Sequence, residues 1–211
     1  MTEENETPET QSAMLSSPAL RALAHPLRIR ILDELSAYGP LTATGLAERL
    51  NESSGVTSYH LRQLEKREFV REVKGRGTAR ERWWERRPGG IATPDARVFE
   101  AGSAERLATQ LITNEWERGR QQNYNEFLVE GESTFGAEWI EAATSDTVNL
   151  RLTPDELRRL ASDVEAVLHD YVERYRGHAS PGSRPVQVHL TAFPLVRGEA
   201  SPTEPRTEDT K

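Results

Sequence analysis

Apolar residues along the first ninety positions fall into short helical stripes and then switch to period two. Leu20, Leu23, Leu27, Ile31 and Leu35 recur at helical spacing, the mark of an amphipathic helix. Ser17-Pro18 offers a hydroxyl cap and a proline at the first helical position. Pro26 interrupts the stripe, so the pattern predicts a short helix and then a longer one, kinked at His25-Pro26. After a break at Gly39-Pro40, Thr42 opens a second helix over Ala43 to Leu50, with Leu46 and Leu50 inward. Gly45 stands where a Glu would close the capping box. A turn at 51–55 leads to a third helix, Ser54 to Arg67, whose inward stripe is Thr57, Leu61 and Leu64. Phe69 to Val73 then alternates as a strand, Lys74-Gly75-Arg76-Gly77 reads as an exposed basic turn, and Thr78 to Trp84 returns as a second strand.

Pro88-Gly89-Gly90 marks a domain boundary. A long helical stretch follows from Asp95 to Leu128, with Gly119 as a candidate break, and Phe135, Trp139 and Ile140 anchor the ambiguous segment 129–146. Val148, Leu150 and Leu152 alternate as a short strand, and Val186, Val188 and Leu190 as another that ends near Phe193. Between them Thr153-Pro154-Asp155-Glu156 holds a cap, an N1 proline and a capping-box Glu. The helix it starts continues through Leu157, Leu160, Val164, Val167, Leu168, Tyr171 and Tyr175. The expected fold is mainly α with a small β part. A winged helix-turn-helix over 17–87 precedes a mostly helical region over 95–194 with two short strands. Residues 1–16 and 195–211, rich in Glu, Thr and Pro, are expected to be disordered tails.

Charge sharpens this picture. The 211 residues carry a net charge of -7, which taken whole disfavours a polyanionic partner. By region, residues 1–17 hold four acids and no base, residues 18–90 nine acids and fourteen bases, and residues 91–211 twenty-one acids and thirteen bases. A basic block thus sits between acidic flanks, and a partner at close range feels the block, because more distant charge is screened. No cysteine is present, so disulfides and thiolate chemistry are excluded. The N-terminus, MTEENETPETQSAM, is acidic and polar, unlike a signal peptide, and no apolar run reaches the ~18 residues of a membrane span. A soluble, cytoplasmic protein with no membrane role is expected.

Burial of 57, 61 and 64 turns Ser54, Gly55, Ser58, Tyr59 and Arg62 outward on the third helix. These side chains are small or hydrogen-bonding, so the helix N-terminus can approach a phosphate closely. Arg62 and Ser58 can reach base edges, and Tyr59 a phosphate or a thymine methyl. Lys66 adds a cation at the helix end. His60, beside the inward stripe, stands between a half-buried hydrogen-bonding role and a DNA contact. Lys74, Arg76 and Arg80 on the hairpin would meet backbone phosphate or the minor groove, whereas surface solubility explains Arg82, Arg86 and Arg87 equally well. Of the Trp83-Trp84 pair, one ring is expected on the helical core and the other toward the linker or the second region.

The stretches Leu23-Ala24-His25-Pro26-Leu27-Arg28-Ile29-Arg30-Ile31-Leu32, Leu41-Thr42-Ala43 with Gly45 to Leu50, and Ser58-Tyr59-His60-Leu61-Arg62-Gln63-Leu64-Glu65 with Phe69-Val70 resemble the ArsR-type transcriptional regulators. The resemblance covers about residues 18–85. It implies a homodimeric repressor whose recognition helix is Ser54 to Lys66 and whose wing is Val70 to Trp84, reading a palindromic operator on double-stranded DNA. Many relatives sense metals, but this chain lacks the cysteines of the thiolate site. His169 and Glu173, four apart, with His178 following, fall short of a metal-ligand pattern, and no metal or other cofactor is expected. The region beyond 95 is longer than in minimal members, which suggests added dimerisation or effector functions.

Trp116, Tyr124, Phe127, Phe135 and Trp139 are the candidate lining of a small-molecule effector pocket, with ordinary core packing as the simpler reading. No catalytic triad, phosphate loop or metal motif accompanies the five histidines, so no enzyme is expected. The alternative to a DNA-binding regulator is a protein-interaction module on a winged-helix scaffold, acting through a protein partner.

Overall fold

The computed structural model describes residues 13–78, 81–89, 91–175, 177 and 180–199. In chain order these form β1 (Ala13–Met14), α1 (Ser17–Leu23), α2 (Pro26–Tyr38), β2 (Leu41–Thr42), α3 (Ala43–Leu50), α4 (Ser54–Glu65), β3 (Val70–Thr78), β4 (Glu81–Arg86), β5 (Ile91–Ala92), a 3₁₀ turn (Ala96–Val98), α5 (Ala104–Phe135), α6 (Ala137–Ala142) and α7 (Pro154–Tyr175). The chain divides into two units. One runs to Thr144 and includes Pro185–Gln187; the other holds Ser145–Arg184 and the residues from Val188 onward.

The first unit is a winged helix-turn-helix closed by a long helix. Its core joins Leu20 and Leu23 of α1, Ile29, Ile31, Leu32 and Leu35 of α2, Leu46 and Leu50 of α3, Leu61 and Leu64 of α4, and Val70 and Trp84 of the sheet. Pro26 produces a full break rather than a kink: α1 ends at Leu23, and the His25 ring nitrogen accepts the Leu27 N–H to cap α2. Thr42 accepts the Gly45 N–H at 3.0 Å, so α3 is capped although Gly45 leaves the capping box open. Asn51, in the left-handed region at φ 53°, ends α3, a conformation Asn tolerates better than most residues.

The sheet has the order β2-β4-β3, with Leu41 opposite Trp84 and Thr42 opposite Trp83. The wing is longer than the sequence pattern suggests. Lys74 to Gly77, expected as the turn, belongs to β3, whose pairing with β4 is irregular between Glu72 and Gly77. Two glycines in a basic run look like a turn; here they carry the strand through positive φ at Gly75 (76°) and Gly77 (87°). Residues 79–80, between the two strands in sequence, lie outside the described residues.

The expected boundary at Pro88–Gly90 is not where this unit ends. From α5, Ala108 and Ile112 are buried in the helix-turn-helix core, and Trp116 packs against it. Asp33 of α2 lies at this contact, where Arg86 of β4, the Trp116 side chain and Arg120 of α5 all favour its charged form. Its burial pushes the carboxyl up to about 6 despite those cations. Gly119 does not break α5, which runs unbroken from Ala104 to Phe135. At its far end, Gly131 lets Phe127 and Ile140 of α6 close in; a Cβ there would lie 3.0–3.1 Å from their side chains. Ala13–Met14, which composition places in a disordered tail, instead pairs in parallel with Ile91–Ala92, where Met14 and Leu15 follow the acidic stretch. Residues 1–12 of that tail and 200–211 of the C-terminal one lie outside the described residues.

In the second unit, the Thr153 hydroxyl caps the Glu156 N–H at 3.3 Å, and the Glu156 carboxylate takes the Thr153 N–H at 2.8 Å. The capping box read from the sequence therefore opens α7. This helix has no buried residue, and Val167, Tyr171, Val172 and Tyr175 are exposed. The two strands expected around Val148–Leu152 and Val186–Phe193 do not form. Alternation predicts extended backbone, but a strand also needs a ladder partner, and neither segment has one among the described residues. No described helix is long and apolar enough to cross a membrane.

Candidate nucleic-acid interface

The helix-turn-helix geometry is set by buried contacts between α3 and α4. Thr57 is fully buried, and its hydroxyl donates to the Ala43 carbonyl at 2.7 Å, fixing the second helix across the first. Leu61 and Leu64 complete the anchored stripe. Ser53 accepts the Val56 N–H at 3.3 Å, so α4 starts at Ser54, with the N–H groups of its first residues directed out of the helix.

The opposite stripe of α4 is open. Ser54, Gly55, Tyr59, Arg62 and the following Lys66 are exposed, and Ser58 is half-buried. A Cβ on Gly55 would meet nothing within 4 Å, so the fold does not demand glycine there. A recess of about 310 Å³ separates α4 from the sheet, lined by Thr44, Ser54, Ser58, Arg62, Glu81 and Arg82, among others. It brings three of the outward α4 residues to one groove at the base of the wing.

On the wing, Lys74 and Arg76 are exposed, while Arg80 lies outside the described residues. The Arg76 guanidinium stacks 3.8 Å above the Trp83 ring, which holds a long cation in place with its charged edge free. Trp83 therefore lies under the wing rather than toward a linker, and Trp84 is the core ring, 3 % exposed. Among the described residues, the other arginines of the hairpin are committed elsewhere. Arg82 is bound by Glu72, Arg87 meets Glu68 at 2.9 Å, and Arg86 reaches the Ser36 hydroxyl and the Gly89 carbonyl.

His60, which its sequence position leaves between a hydrogen-bonding role and a DNA contact, is only 7 % exposed. Its Nδ1 accepts from Arg28 Nε at 3.3 Å, and its ring lies 4.4 Å from His25 and meets Tyr59 edge-on at 5.1 Å. Burial, with His25 and Arg28 adjacent, lowers its pKa. The position falls between the inward and outward stripes, where helical spacing alone does not decide. Its work is to orient Tyr59 and Arg28.

Of the five candidate pocket aromatics, two are placed well apart. Trp116 and Phe135 lie on one continuous helix, ~28 Å apart at 1.5 Å per residue, and Trp116 is occupied with the core. Among the described residues, no group of three or more His, Asp or Glu side chains could hold a metal ion; His178 lies outside them.

A sequence model described as a helix-turn-helix domain matches residues 23–73. That span covers α2, α3, α4 and the first part of the wing. No curated protein matches the sequence. Solved structures with a similar arrangement include the adhesin competence repressor AdcR from Streptococcus pyogenes, 16 % identical over 69 % of this chain and 80 % of that one, TM-score 0.30. The transcriptional regulator Tm0710 from Thermotoga maritima is 15 % identical over 74 % of this chain and 81 % of that one, TM-score 0.30. Wild-type MarR from E. coli is 16 % identical over 72 % of this chain and 88 % of that one, TM-score 0.28. At such scores these superpositions place no residue of the site, and the interface rests on the chain's own geometry.

Proposed function

We propose that this protein is a sequence-specific, double-stranded-DNA-binding transcriptional regulator of the ArsR type, acting as a homodimeric repressor on a palindromic operator. One observation carries the reading: α4 buries Thr57, Leu61 and Leu64 and presents Ser54, Gly55, Ser58, Tyr59 and Arg62 outward, beside a wing bearing Lys74 and Arg76. Small polar residues at the front of a recognition helix admit the major groove, Arg62 reads a base edge, and the wing cations hold the backbone. Lys66 joins the backbone contacts, and His60 supports the face from within.

Selection of bound fragments from genomic DNA provides the operator for the test. Arg62→Ala is expected to weaken operator binding by roughly 1–3 kcal/mol while changing scrambled duplex little. Lys74→Ala or Arg76→Ala is expected to weaken both and to flatten the salt dependence. Equal losses on operator and scrambled duplex for Arg62→Ala would reject it as a base reader.

A further inference from the structure

A second recess, of about 490 Å³, opens on the other side of α4, between its C-terminal end and α1. Arg21, Arg28, Lys66 and Arg67 line it together with Gln63, and no carboxylate does. The four cations come from three places in the chain: α1, the start of α2, and the turn after α4. Gathering like charges around one concavity raises the energy of the folded protein unless an anion enters.

Two of the cations have an ordinary explanation. Lys66 and Arg67 follow the C-terminus of α4, where the helix dipole favours positive charge. That does not account for Arg21 and Arg28. Arg28 is built in: one guanidinium nitrogen donates to the Ala22 carbonyl and Nε donates to His60 Nδ1. Its remaining N–H groups are thereby pre-oriented, which lowers the entropy lost on binding a tetrahedral oxyanion. Arg21 is held by Glu105 of α5 at 2.6 Å, an exposed pair of the kind that gives way readily to a stronger anion. Lys66 and Arg67 have no acidic partner among the described residues.

The recess is also next to the reading face. Tyr59 and Gln63 of α4 and Lys66 at its C-terminal cap follow one another at i, i+4 and i+7, adjoining the stripe of Gly55, Ser58 and Arg62. We infer that this recess is a phosphate site that seats one backbone phosphate of the DNA duplex flanking the bases read by α4. The inference rests on the proposed DNA-binding function for its source of phosphate, but the anion chemistry belongs to the recess itself. With this site, α4 is bracketed by two backbone contacts, the wing on one side and the α1 recess on the other, which fixes its depth and register in the groove.

The test uses the full-length protein and the double variant Lys66→Gln/Arg67→Gln, both positions being exposed and outside the core. Operator affinity is measured across a salt series. The magnitude of the slope of log affinity on log salt should fall by about 0.9 for each phosphate that the variant no longer neutralises, with operator and scrambled duplex weakened by the same factor. Ethylation of single backbone phosphates should reveal one position that impairs wild-type binding and is indifferent in the double variant. An unchanged slope together with an unchanged ethylation pattern overturns the proposal. Inorganic pyrophosphate separates the proposal from the functional reading. If no duplex binds even the wild type, the DNA reading fails. In that case pyrophosphate raising the wild-type melting temperature, but not that of the double variant, supports the recess as a site for free phosphate. If pyrophosphate affects neither protein, the proposal fails as well.

Discussion

Replacing Ile112 with Ala tests directly whether α5 belongs to the helix-turn-helix core. Ile112 is fully buried among residues of the helix-turn-helix, with Ala108 one turn before it and Trp116 one turn after. Truncation removes three carbons from a site enclosed by α1 and α2, where the backbone of two helices resists collapse. Large-to-small changes at such sites cost about 2–5 kcal/mol. Alanine's better helix propensity returns only ~0.4 kcal/mol of that. A net loss of ~3 kcal/mol should lower the melting temperature of a unit this size by roughly 6–12 °C.

The assay is urea unfolding followed by tryptophan fluorescence and by far-ultraviolet circular dichroism. Trp84 sits in the wing sheet and Trp116 on α5, so the two regions contribute to one signal. Both probes should shift to lower urea together, with an unchanged slope. Leu107→Ala on the same helix is the control; its side chain is 58 % exposed, and its effect should stay within about 0.5 kcal/mol. If Ile112→Ala melts part of the helical signal while the rest unfolds at the wild-type midpoint, α5 is an independent element and the reasoning fails.

Gly77→Ala should deform the wing. Gly77 has φ 87°, and a Cβ would fall 2.3 Å from the Glu81 carbonyl oxygen and 2.7 Å from Trp83. The left-handed backbone alone costs ~1–2 kcal/mol. Indole NMR signals of Trp83 should therefore move and duplex binding weaken, while Gly75→Ala, with nothing within 4 Å of its Cβ, should show only the backbone cost. An unperturbed Trp83 in Gly77→Ala would refute the wing geometry. For pH, Asp33 and His60 oppose each other. Asp33 is raised to about 6 from 3.8, so the folded state takes up its proton first and gains stability as pH falls from 6 toward 4. His60 is lowered from 6.5, so the unfolded state takes up that proton first and stability drops as pH falls below 6.5. Melting temperature against pH should lose the acid-side gain in Asp33→Asn and the acid-side drop in His60→Asn; identical profiles in all three proteins would exclude both assignments.

Helical stripes make the first unit legible from sequence. Spacing places Thr57, Leu61 and Leu64 inward, and all three are buried, because an amphipathic helix encodes its own inward face. The capping box at Thr153–Glu156 is readable for the same reason: donor and acceptor lie three residues apart. Sheet structure is less legible. Lys74–Gly77 carries every local mark of a turn, yet cross-strand pairing with β4 draws it into the wing. The segment around Leu150 is the converse case. Val148, Leu150 and Leu152 alternate as a strand does, but the fold brings no partner strand to them among the described residues.

The outward face of α4 is likewise written in local spacing, but its surroundings are not. Period 3.6 says which residues leave the core and nothing about which residues of other elements they meet. Arg82 and Arg76 look alike in sequence; only the fold shows Arg82 bound by Glu72 and Arg76 laid on Trp83 with its charge outward. Arg21 and Arg28 are silent for the same reason. They lie far before Lys66 and Arg67 in the chain, and it is the packing of α1 against α4 that turns two separate pairs of surface cations into one electropositive recess. Net charge over a window detects the basic block but averages away this grouping. Since a phosphate responds to cations within a few ångströms, the grouping decides where DNA would be held, and Lys66 with Arg67 is the place to break it.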